Sequence, residues 1–270
     1  MKYIVCFSGG HASAISAVET VRRYGKENVI LLNHDLNEND EHEDIKRFKR
    51  EVADYLGIEI TPANMPGFET KDHFDVCIEL GAFKYGIQSS ALCTKALKTD
   101  PFYTWLAENY PANADHPCED AVIEYGFDPK ETVRITRRVG LMAYMGYKTD
   151  YPLLWPNRTI QATEEIGINR PVTYGIYNHA NCIGCLKAGK QHWFTVFCLY
   201  PEVWEKAKIA EAEIGYSILR QGFLEELEPE FLELKTRGLP PTEKINPQKF
   251  WATARKLLAD DGPLPCECSF

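Results

Sequence analysis

Apolar runs and amphipathic stretches alternate through the first sixty residues. Residues 2–7 form an almost continuous apolar run and predict a buried strand. Over His11–Tyr24, Ile15, Val18 and Val21 recur at helical spacing. Residues 28–33 predict a second, very apolar strand. Residues 41–56 predict a helix with Ile45, Phe48, Val52 and Leu56 on one face, and residues 57–61 a third strand. Strands this apolar, joined by crossover helices, are covered on both faces. The pattern therefore predicts an α/β fold with a doubly wound, mostly parallel sheet. Ligands of such sheets bind at the carboxyl ends of the strands. Ser8-Gly9-Gly10 and His34-Asp35 both fall on that edge.

The pattern is less regular further on. Residues 95–108 predict a helix and residues 121–125 a short strand, while 151–177 are rich in Pro, Asn and aromatic residues. The last ninety residues read as mainly helical, over 201–214, 223–235 and 247–258. This divides the chain into an α/β domain, 1–177, and a Cys-containing helical region packed on it, 178–270.

Composition narrows the function. The chain has 270 residues and 44% hydrophobic content, enough for one large core or a core with an added subdomain. No apolar stretch approaches the ~20 residues that span a bilayer, and the first residues lack the pattern of a signal peptide. No membrane partner and a cytoplasmic location are the expectations. A net charge of −9 disfavours broad nucleic-acid binding without excluding a local basic channel. Lys95, Lys98, Lys130, Arg134, Arg137 and Arg138 form such a channel or lie on solvated helix faces.

The candidate chemistry starts in Phe7-Ser8-Gly9-Gly10-His11-Ala12-Ser13. A strand that breaks into glycines and opens a helix offers backbone N–H groups, a helix N-terminus and the Ser8 and Ser13 hydroxyls to one anion. His11 touches that anion or stays a polar surface residue. Asp35 contacts a ribose or adenine, or caps a turn. Lys95, Lys98, Arg134 and Arg138 can neutralise charge on a departing phosphate or sulfate. Arg134 and Arg138, four apart, share a face if their segment is helical.

Nine cysteines is a high count for a reducing compartment, where they serve as small hydrophobes, metal ligands or reactive thiols. Cys6 and Cys77 read as core. Cys182-Ile183-Gly184-Cys185 has the spacing of a metal half-site for Zn2+ or a [4Fe-4S] cluster. Cys266 and Cys268 are its best partners, with Cys93 and Cys198 in reserve. Reduced structural thiols or a redox-active pair are the other readings.

Taken in order, these segments point to a family. The first loop resembles the pyrophosphate loop of the PP-loop (N-type ATP pyrophosphatase, adenine nucleotide alpha-hydrolase-like) superfamily, in its phosphoadenylylsulfate (PAPS) reductase-like form. Cys93-Thr94-Lys95-Ala96-Leu97-Lys98 with Pro101-Phe102, and Gly126-Phe127-Asp128 with Glu131 and Arg134, resemble that family's second and third signatures. Tyr151-Pro152-Leu153-Leu154, the Cys-x-x-Cys segment, Pro201-Glu202-Val203-Trp204 and Glu213-Ile214-Gly215 are similar to the C-terminal part of such proteins in phages and bacteria.

The resemblance implies an adenine nucleotide, ATP or PAPS, accompanied by Mg2+. Ser8, Gly9, Gly10, His11, Ser13, Asp35, Cys93, Thr94, Lys98, Gly126 and Glu131 would bind it. It also implies sulfur metabolism and a thioredoxin-like reductant as partner. The chain departs from the family in three places. Ala12 replaces the acid of the ATP-cleaving subgroup and leans the reading toward the reductases. Leu92 replaces one of the tandem cysteines of the iron–sulfur members. Glu267-Cys268 resembles the catalytic Glu-Cys-Gly-x-His tail without its Gly and His, which puts a nucleophilic Cys268 among the expectations. Three functions follow: a PAPS reductase-like enzyme, an adenylating sulfurtransferase acting on tRNA or DNA, and a noncatalytic nucleotide sensor or scaffold.

Overall fold

The structure is a computed structural model describing residues 1–68, 70–84, 91–180 and 182–259. Its centre is a five-stranded, all-parallel sheet in the order β3-β2-β1-β4-β5. The chain runs β1 (Lys2–Cys6), α1 (His11–Tyr24), β2 (Val29–Asn33), α2 (Glu43–Leu56), β3 (Ile60–Pro62) and α3 (His73–Glu79). A helix then starts as α4 (Leu92–Thr94), widens to a π-helical turn over Lys95–Thr99, and continues as α5 (Asp100–Asn109). β4 (Ala121–Glu124), α6 (Thr132–Tyr144) and β5 (Lys148–Asp150) complete the sheet; α7 (Lys190–Leu199), α8 (Pro201–Ile214), α9 (Leu224–Thr236) and α10 (Pro247–Ala259) follow.

Alternate side chains of each strand serve opposite layers. Val5 and Leu31 pack under α1 and α2 with Ile15, Val18, Phe48 and Val52. Ile4, Leu32 and Ile123 face Phe102 and Leu106 of α5 and Met142 of α6. The sheet is thus doubly wound, as its apolar strands predict. After β1 the chain builds outward through β2 and β3, then crosses to β4 on the other side of β1. The crevice between β1 and β4 is the topological switch point, where the two connections leave in opposite directions.

The C-terminal helices have their own core, centred on Trp193, Phe194, Trp204, Phe231 and Phe250. It also takes in Phe74 and Cys77 of α3, together with Phe83 and Leu92. The helical region is therefore packed onto the segment that leads into the second basic motif.

The elements depart from the sequence pattern where they are short or wholly buried. The third strand begins at Ile60 rather than 57, because Gly57 takes a left-handed conformation that closes α2. Seven-residue α3 and three-residue β5 are too short to show a period. α7 is buried over six consecutive residues, Gln191–Val196, so it has no polar face to mark it. Among the described residues no helix is long and apolar enough to cross a membrane.

Candidate functional site

The loop after β1 is held close against α2 and α6's entry. Gly9 has φ +76°, and a Cβ there would lie 2.8 Å from Ile45 Cγ2, so the turn needs glycine. Gly10 is the N-cap of α1 and no side chain caps the helix. The His11 N–H donates to the Tyr174 hydroxyl at 3.0 Å. Ser13 Oγ donates to the Gly10 carbonyl at 2.8 Å, and Ser8 Oγ lies 3.3 Å from Ser13 Oγ. The helix N-terminus therefore faces outward with its partial positive charge uncancelled. Gly126, after β4, sits so close to this turn that a Cβ would meet Ala12 C and O and Ser13 Cα at 2.8 Å.

A cleft of about 620 Å³ opens over this turn at the switch point. Ser8, Gly10 and Ser13 form its floor, Asn33 and His34 its β2 side, and Gly126, Glu131, Arg134 and Arg138 its far side; Thr94 enters from the end of α4 and Lys98 from the π-helical turn. A π-turn inserts one residue and re-aims those beyond it, which suits Lys98's inward position. The acids nearby are already matched: Glu41 pairs with Lys49 at 2.6 Å and Glu131 with Arg134 at 2.6 Å. Burial pushes Glu41 up, and Lys49 opposes this. Lys98 and Arg138 have no carboxylate within 4.0 Å among the described residues. Arg138 lies 5.2 Å over the Tyr125 ring and Arg134 4.0 Å over the Phe127 ring. Two cations without counter-ions and an uncapped helix N-terminus converge on one crevice, which is the electrostatics of an anion site.

A second cavity of about 550 Å³ adjoins the first and shares Thr94, Lys98, Asn178, His179 and Cys182 with it. Cys93, Cys182 and Cys185 line it. Lys98 Nζ is 3.6 Å from Cys182 Sγ. Burial pushes the Cys182 thiol up to about 12 in spite of Lys98. Cys93 is pushed up by its hydrogen bond with Cys77 and then by burial, whereas the same hydrogen bond lowers Cys77. Cys6 lines the first cleft, and burial raises it to about 12, so it is no thiolate at neutral pH.

The structure thus gathers Ser8, Gly10, Ser13, Thr94, Lys98, Gly126, Glu131, Arg134 and Arg138 in one cleft, with Cys182 and Cys93 beside it. Other expected residues fall elsewhere. Lys95 points to solvent and pairs with Asp100, since the same π-turn that turns Lys98 inward leaves Lys95 outside. His11 turns away from the cleft: its Nε2 accepts the Thr163 N–H at 3.2 Å and lies 3.7 Å from Glu164. Burial and then Arg170 lower its pKa, so it is the neutral acceptor. Asp35 is exposed, 3.4 Å from Lys46 Nζ, and its backbone is paired with Asn64. Gly9 lies beneath the loop rather than on the cleft wall. Cys266 and Cys268 lie outside the described residues.

Residues the motifs did not include also stand at the site. Tyr174 and Asn178 come from the irregular 151–180 stretch, and Tyr103 and Tyr125 join Phe127 of the third signature in an aromatic wall. Cys77, read only as core, lies behind Cys93. Nothing in a linear pattern ties these to the loop.

Fold and cleft define the class: a parallel α/β protein with a cation-lined cleft at its switch point and a thiol-lined cavity beside it. No protein-family model, curated protein or solved structure matches the chain.

Proposed function

We propose that the protein is an enzyme that binds an adenine nucleotide, PAPS or ATP, and acts on its phosphosulfate or phosphate. One observation carries this reading. The uncapped start of α1, Ser8 and Ser13, Lys98 and Arg138 all face the crevice between β1 and β4, and neither cation has a carboxylate partner among the described residues. The terminal anion of the nucleotide would sit on the α1 N–H groups. Lys98 and Arg138 would take up negative charge as the bond to the leaving group lengthens, a role in which a single well-placed donor is worth about 10²–10³ in rate. The aromatic wall and Arg134 close the other side. The adjoining thiols make sulfur chemistry the favoured version, because the nucleotide's reacting end would lie near Cys182.

The three thiols Cys93, Cys182 and Cys185 suit a soft metal ion or cluster, which would replace their protons on binding. One zinc ion brings its sulfurs to about 3.8 Å from one another, as bonds of about 2.3 Å require. Among the described residues, the one trio of ligand atoms all within 4.8 Å of one another is Asp40, Asp72 and His73. The three thiols are not such a close trio, so they do not stand at the spacing of a single zinc ion; an iron–sulfur centre is the other soft group they could hold, and it would supply redox or sulfur-carrying chemistry.

Isothermal titration with ATP and with PAPS, followed by assays for pyrophosphate and sulfite, tests the nucleotide reading. Binding with sulfite release is the expected result. Binding with pyrophosphate release makes the protein an adenylating enzyme, and binding with neither product makes it a sensor. No binding of either nucleotide overturns the reading.

A further inference from the structure

The turn that carries Cys182 and Cys185 is held from two sides by histidines, each backed by a carboxylate. On one side, His73 Nε2 donates to the Gly184 carbonyl at 2.9 Å, and His73 Nδ1 is hydrogen-bonded to Asp40 Oδ1. Asp40 also accepts the His73 N–H at 3.2 Å, and its own carbonyl accepts the Ile183 N–H at 3.0 Å. On the other side, His192 Nε2 accepts the Cys185 N–H at 3.2 Å, while His192 Nδ1 donates to Glu243 Oε1. Glu243 is anchored by its own N–H to the Ile176 carbonyl at 2.9 Å, and its second oxygen lies 3.1 Å from His179 Nε2.

Asp40, His73 and His192 are buried, on three separate elements distant in sequence. Burying two histidine–carboxylate pairs costs free energy unless each group is matched. The turn supplies partners to both rings: the Gly184 carbonyl takes His73 Nε2 and the Cys185 N–H is taken by His192 Nε2, while the Ile183 N–H is held by the Asp40 main chain. Asp72, near Asp40 and His73, is already engaged. Its Oδ1 caps α3 through the Phe74 and Asp75 N–H groups, and its Oδ2 pairs with Lys206. Both ring nitrogens of His73 are engaged, Nδ1 by Asp40 and Nε2 by Gly184, so the ring links the carboxylate to the turn; Asp40 Oδ2 has no hydrogen-bond partner among the described residues.

We propose that Asp40–His73 and Glu243–His192 are positioning pairs that hold the 182–185 turn in the conformation in which its thiols take metal together with Cys93. The inference rests on the thiol-metal reading given above. Such outer supports of a metal site typically contribute 10–100-fold to affinity. The chain invests them in a four-residue turn that has no regular structure of its own.

The test compares the full chain with Asp40→Asn, His73→Phe, His192→Phe and His192→Gln. Zinc affinity is measured by chelator competition, and iron and sulfide content after anaerobic reconstitution. Far-UV circular dichroism and the melting temperature report folding. His192→Phe and Asp40→Asn are expected to lose 10-fold or more in zinc affinity, and a matching share of iron, while remaining folded. His192→Gln keeps an acceptor for the Cys185 N–H and is expected to recover most of the loss. Equal metal binding in wild type and in every folded variant overturns the positioning role. A wild-type protein that binds neither zinc nor an iron–sulfur centre through Cys182 and Cys185 overturns the thiol-metal reading itself. A metal-binding wild type whose His192→Gln variant is folded but as weak as His192→Phe overturns the His192 assignment.

Discussion

Lys95 and Lys98 show how far a motif can be read residue by residue. Both belong to the same basic segment, yet one faces water beside Asp100 and the other is half-buried between cleft and thiols. Lys98→Ala is therefore expected to weaken nucleotide binding or turnover by about 10²-fold, and Arg138→Ala by a similar factor. Lys95→Ala should change either by less than about threefold, as exposed ion pairs contribute little. Titration and steady-state kinetics on the three variants check this, and an equal loss in Lys95→Ala would contradict the placement of the cleft. A second residue, Glu124, is fully buried at the end of β4 with neither oxygen partnered. Burial, then Asp150, pushes its pKa up to about 8 against the opposing pull of Arg23. The folded state thus holds this proton at pH values where the unfolded chain has released it. Stability should fall from about pH 4.5 to about pH 8, by at most about 1.4 kcal/mol per unit, and level off above. Glu124→Gln removes the titrating group, so urea unfolding should show its advantage over wild type growing between about pH 5 and pH 8. A pH-independent difference would rule the account out.

At the level of elements, the site depends on two close approaches that its glycines permit. A methyl at Gly126 would meet the backbone of Ala12 and Ser13, which cannot yield as a side-chain tip can. Gly126→Ala should therefore cost about 1–3 kcal/mol in denaturant unfolding and weaken nucleotide binding more than its distance from the anion suggests. Unchanged stability with unchanged affinity would show that the β4 loop does not brace α1. The strand–turn–helix unit around Ser8 was legible in the sequence, because apolar run, glycines and helical period coincide there. α8 was legible to the residue, opening at Pro201 and closing at Gly215. The π-turn was not, since it follows from how α4 and α5 pack rather than from any residue preference.

The whole molecule ties the sheet half to the thiol half. The helical region's core includes Phe74, Cys77, Phe83 and Leu92, so the two halves share side chains rather than a linker. Thermal unfolding followed by far-UV circular dichroism and by fluorescence of the buried Trp193 and Trp204 should give coincident transitions. Two separated transitions would show that the 178–270 region melts as an independent unit. The sequence alone determined the parallel α/β architecture, the anion-ready turn after β1 and the Cys-x-x-Cys pair. Each of these is written in local periodicity or spacing, and burial on both faces leaves an apolar strand few alternatives. Only the tertiary structure decided which lysine faces the cleft and that Cys93 and Cys77 stand nearer the pair than any linear count shows. It alone brought Asp40, His73, His192 and Glu243 to the thiol turn. Those placements depend on contacts between residues far apart in sequence, such as Asp40 with Ile183 and His73 with Gly184, which no local pattern encodes.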